Sequence, residues 1–166
     1  MIISLAAATL LNAAAVSTPI SPDQLPNLFI AACFEGKAQT TAGSATQVGF
    51  DGLPNAIRSR LGKPSEAQVW KIAGSEDSYL YSLNYTDRSF SPRICGVASQ
   101  NLVLRPASAA VETHLRGGAP AAGSYKPVEW LNDKEGYRAL ATRAGGYTIL
   151  QVNWNNDKPT EAIPTQ

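Results

Sequence analysis

Three kinds of side chain in this chain have the right character to do chemistry. The only histidine is His114, in Val-Glu-Thr-His-Leu-Arg-Gly-Gly. As a general base it needs a carboxylate or nucleophile brought to it by the fold, because none lies at motif spacing. It follows Val111 by three residues, so it also borders a buried helical stripe, where a lone histidine serves as packing. The second kind is acidic. A glycosidase needs two carboxyl groups at a set separation, and Glu35, Asp51, Glu66, Glu76, Asp77, Asp87, Glu112, Glu129, Asp133 and Glu135 supply candidates. Most of them fall at expected turns and helix ends, where acids serve solvation and capping. Glu35, beside Phe34 and near Cys33, is the candidate acid. The third kind is aromatic: Tyr79, Tyr81 and Tyr85 share one face of an alternating strand, and Trp130 lies further on. Turned outward, such rings would make a binding surface with a large apolar area and polar tips. Turned inward, they are half a core.

Other chemistries are excluded more firmly. There is no Gly-x-Ser-x-Gly elbow, and Gly43-Ser44, Gly74-Ser75 and Gly123-Ser124 read as turns. The glycine-rich run at 117–123 lacks the Lys-Ser/Thr ending of a phosphate loop and follows a helix where such a loop would precede one. One histidine and two distant cysteines do not make a zinc site, and no calcium-loop pattern occurs. No metal and no cofactor are therefore expected. With 14 Lys+Arg against 13 Asp+Glu and no basic run, the electrostatic footprint of a nucleic-acid binder is missing.

The start of the chain bears on location. Residues 2–16 are almost entirely small or apolar, and the first charged side chain is Asp23. The run is too short to span a bilayer but suits a signal-peptide core, with Ala13 and Ala15 as the small-x-small cleavage pattern. Residues 1–15 are thus expected to be a cleaved leader, although no Lys or Arg precedes the apolar run. The alternative is an apolar first helix. A periplasmic or secreted chain with Cys33 and Cys95 favours one disulfide between them, two buried thiols being the other possibility. A bridge would close a loop of about sixty residues, worth roughly 4 kcal/mol by loop entropy.

These groups must be placed by regular elements. Residues 16–25 read as an extended arm, with three prolines between Thr18 and Pro26. The spacing of Leu25, Leu28, Phe29, Ala32 and Cys33 predicts a helix ending at Gly36. Residues 38–50 read as a loop, and a second helix runs from Pro54 to a stop at Gly62. The period then becomes twofold: strands are expected from Gln68 to Ile72, over 78–85 and 93–98, and briefly at 102–104. Ser108 is placed as the cap of a helix over 109–116. Residues 117–125 read as a loop, and strands follow over 126–131, 137–143 and 147–154, with a hairpin turn at Gly145-Gly146. The tail from 155 to 166 is polar.

The order implies one α+β domain over 26–154, a mostly antiparallel sheet of about six strands with two or three short helices on one face. Function is expected to be that of an exported binding or accessory protein of the cell envelope. Its partner would be an envelope protein or a small ligand, with no stable membrane insertion after leader cleavage. A hydrolase of an envelope polymer, or a purely structural role, are the alternatives.

Overall fold

One antiparallel sheet of seven strands carries the structure, a computed structural model that describes residues 19–37, 45–75, 77–89, 91–115 and 128–155. The expected leader, the loop at 117–125 and residues 156–166 lie outside the described residues. The strands are β1 (Ala45–Val48), β2 (Glu66–Ile72), β3 (Ser78–Asn84), β4 (Arg93–Ser99), β5 (Val128–Asn132), β6 (Tyr137–Ala144) and β7 (Tyr147–Trp154), in the spatial order β1-β2-β3-β4-β7-β6-β5. Two meanders therefore meet at the β4–β7 pair, where Gly96 stands opposite Gln151. Among the described residues the α-helices are α1 (Leu25–Cys33), α2 (Asn55–Leu61) and α3 (Leu104–Leu115). The α+β class is as the sequence indicates, and no helix among the described residues is long and apolar enough to cross a membrane.

Four local expectations need correction. The arm is shorter than read, since Pro22–Gln24 is a 3-10 turn leading directly into α1. Residues 45–48, placed in a loop, form edge strand β1; the four residues Ala-Thr-Gln-Val are too few to show an alternation, but the free edge of β2 accepts them. Residues 102–104 are not a strand, and α3 begins at Leu104, ahead of Ser108. Pro106 is tolerated there because the first-turn N–H has no helical partner to lose. Ser108 does not cap α3; its hydroxyl donates back to the Leu104 carbonyl at 2.7 Å.

Two of the helices, α1 and α3, share one face of the sheet, and α2 packs on the other. Registered partners Trp70, Leu80, Val97 and Leu150 belong to one apolar cluster with α1 and α3. Val69, Tyr81 and Ile149 point the other way, into a second cluster with Ile57 and Leu61 of α2. A strand buried on both sides loses its polar alternation. β4 accordingly reads as a near-continuous apolar run after Arg93, and most residues of β4 and β7 are buried.

The first face is stapled. Cys33, at the end of α1, is bonded to Cys95 in β4 with the Cα atoms 5.5 Å apart. The second face depends on Gly96. The ring of fully buried Tyr81 lies over this glycine, and its hydroxyl donates to Gln151 Oε1 at 3.0 Å. A Cβ at position 96 would stand 2.5 Å from Tyr81 Cζ and 2.8 Å from the Leu150 carbonyl oxygen. The two strand ends at β6–β7 turn on Gly145 and Gly146, with φ of 54° and 87°, the pair of positive values that a tight hairpin needs.

Two predictions follow from this packing. Cys33→Ser, or reduction of the wild type, should lower the thermal midpoint by about 10 °C or more, given roughly 4 kcal/mol for a loop of this length. Equal midpoints with and without reductant would show that the bridge is not stabilising. Gly96→Ala should destabilise by about 1–3 kcal/mol in chemical denaturation, because neither a buried ring nor a backbone carbonyl can yield freely. A change within experimental error would mean that Tyr81 repacks without strain.

Candidate functional site

The fold brings Glu35 and His114 together. Both line a shallow cleft between α1 and α3, with Asn27, Ile30 and Thr113 along it. The Phe34 ring stands 6.0 Å from the His114 ring. Their chemistry is less suited to hydrolysis than their proximity. Lys37 Nζ lies 2.9 Å from Glu35 Oε2, and this hydrogen bond, then the Lys37 charge, holds the Glu35 carboxyl below its usual range. Burial pushes weakly the other way, and His114 adds a minor lowering. A glycosidase acid needs the opposite shift, so that it holds its proton at neutral pH. Thr113 offers no nucleophile, since its hydroxyl donates to the Ala109 carbonyl at 3.0 Å.

The aromatic candidates do not form an exposed surface. Tyr79, Tyr81 and Tyr85 are buried on the face beneath α2, and Trp130 is buried on the opposite face. The indole N–H of Trp130 has no hydrogen-bond partner among the described residues. The tyrosines instead support what lies next to them. Tyr85 donates its hydroxyl to the Leu61 carbonyl at 2.9 Å, fixing the C-terminal end of α2. The Arg88 guanidinium lies 3.8 Å over the Tyr85 ring and donates to the same carbonyl at 2.6 Å.

Beside α2 the sheet is left open, and there a groove of about 440 Å³ is formed. Its floor comes from Ile94 of β4, Ile149, Gln151 and Asn153 of β7, and Leu140 and Thr142 of β6. Ile57, Arg60 and Leu61 of α2 form one wall, and Arg88 and Ser91 close one end. Ser91 holds the left-handed backbone at φ 55°. Gln151 is oriented before any ligand arrives: Tyr81 fills its oxygen, and its Nε2 donates to Asn153 Oδ1 at 2.7 Å. The lining carries two guanidiniums and no carboxylate. Volumes of this order are typical of small-molecule sites, which combine apolar walls with a few convergent polar groups.

Arg60, Arg88, Ser91, Thr142 and Gln151 have no sequence motif in common. They come from a helix, a loop and two strands, and only the common face of the sheet gathers them. No group of three or more His, Cys, Asp or Glu able to hold a metal occurs among the described residues.

The buried phenols give the site a pH limit. Burial is the main cause that pushes Tyr85 and Tyr81 upward, Tyr81 far beyond the ordinary range, so the folded chain keeps both protonated into alkaline solution. The unfolded chain loses these protons near pH 10. Above that pH the native state binds more protons than the unfolded one, so stability is intact below about pH 10 and falls as pH rises. Tyr85→Phe should lose about 1 kcal/mol at neutral pH with its hydrogen bond and show a shallower alkaline decline. Parallel declines in urea titrations of wild type and variant would show that Tyr85 contributes none of it.

No family model, curated protein or solved structure matches this chain.

Proposed function

We propose that this chain is an exported binding module of the cell envelope that receives a small ligand in the groove between α2 and β6, without a cofactor. The observation that carries the reading is the groove's composition: an aliphatic floor, amides already oriented by a core tyrosine, and two arginines with no carboxylate among the lining residues. Nothing in the lining is a nucleophile paired with a base, which supports binding over turnover. The Cys33–Cys95 bond supports placement in an oxidising compartment, periplasmic or secreted, since such bonds rarely persist in the cytosol. The hydrolase alternative draws on Glu35 and His114 sharing a cleft, but the lowered Glu35 carboxyl counts against an acid role.

Thr142→Trp tests the reading. Thr142 is half-buried on β6, where an aromatic side chain suits a strand and would fill the groove from its floor. Wild-type protein recovered from its host should carry a small-molecule mass under native ionisation that disappears on denaturation. The variant should fold to a similar thermal midpoint and lack that mass. The same bound mass on both proteins, or none on the wild type, would sink the assignment.

A further inference from the structure

We infer that the occupant of the groove is a small amphipathic oxyanion, an aliphatic body carrying a carboxylate or sulfate head; this rests on the groove being the binding site. The head is assigned by Arg60 and Arg88. Arg60 is exposed and makes no hydrogen bond or ion pair among the described residues, although Arg58, on the same helix, is paired with Asp51 at 2.8 Å. Arg88 is held in place by the Tyr85 ring and the Leu61 carbonyl, which engage one face and one terminal nitrogen of its guanidinium. Its other N–H groups have no protein partner among the described residues. A guanidinium locked in this way has already lost its rotamer freedom, so an oxyanion meets a preorganised fork.

The body is assigned by Ile57, Ile94, Leu140 and Ile149, which give the groove an aliphatic floor and wall. A bare inorganic anion would use none of that surface, and a neutral alkane would leave both cations unanswered. The groove is of small-molecule size, and its charge is complementary to a head group at the Arg88 end. A free small acid is therefore the occupant, in preference to a protein segment.

The probes are octanoate, octyl sulfate below its micellar range, 1-octanol and acetate, followed by ¹⁵N amide shifts and by calorimetry on the full chain. Octanoate and octyl sulfate should shift amides of Ile149, Gln151 and Thr142, and should bind roughly ten- to hundredfold more tightly than octanol or acetate. Arg60→Gln should remove most of that preference. Arg88→Lys keeps the charge but loses the stacked fork, and should weaken the acids further while a thermal melt reports any loss of fold. Octanol binding as tightly as octanoate at the same amides would overturn the anion assignment while leaving the groove as a ligand site. Absence of shifts at these amides with every probe would remove the groove as well. Selectivity for octanoate that survives Arg60→Gln and Arg88→Lys together would place the anion elsewhere.

Discussion

A seven-stranded sheet is roughly 30 Å wide at the usual strand spacing, whereas a seven-residue helix is about 10 Å long and about as broad. That mismatch governs the second face of this protein. On the first face α1 and α3 lie against each other and cover the sheet centre between them. On the second, α2 is the short cover, and its buried residues Ile57 and Leu61 reach Val69, Tyr81, Ile94 and Ile149. Beyond it the same face meets water. The far strands accommodate that with half-exposed Leu140 and Thr142 and an ion pair between Arg138 and Glu129. The groove is the step between the covered and uncovered halves.

The polar groups of that step are oriented from inside the core. Tyr81 has space to lie flat because residue 96 has no side chain, and its hydroxyl then meets Gln151 from beneath. Leaving a buried phenol O–H without an acceptor would cost about 1–3 kcal/mol, so Gln151 is constrained by the core before it faces solvent. Tyr85 plays the matching part at the groove end, with its ring under Arg88 and its hydroxyl on α2. The aromatic stripe is thus a support for the candidate site, although none of its rings lines the groove.

Much of the framework was legible because it depends on period and on punctuation. Twofold alternation marked 78–85, the paired glycines marked the β6–β7 hairpin, and two isolated cysteines marked one bridge. What was not legible depends on relations between elements. The pattern Ile57–Leu61 shows that α2 has an apolar side, yet a sheet whose central strands are apolar on both sides offers that side two equivalent places to dock. Edge strand β1 is named by its neighbour, since its own four residues, Ala-Thr-Gln-Val, are too few to show a period. Ser108 resembled a cap because serine hydroxyls satisfy backbone groups at helix ends and within helices alike. The groove had no signal at all, because Arg60, Arg88, Thr142 and Gln151 are unremarkable surface types until four separate segments set them around one floor.

The two faces also differ in how their covers are held. α1 is bonded covalently to β4, so the first face cannot part from the sheet without breaking Cys33–Cys95 or unfolding the helix. α2 is held by a few buried side chains and by two donors, Tyr85 and Arg88, that converge on the carbonyl of Leu61. Segments with few buried contacts open at lower free energy than the rest of a domain, which places the least firmly held helix at the wall of the groove. Arg88 belongs to both structures at once, as a brace for α2 and as a cation at the groove end. A ligand that engaged this guanidinium would therefore act on the same side chain that positions the helix, and would link binding and local order at this face through a single residue.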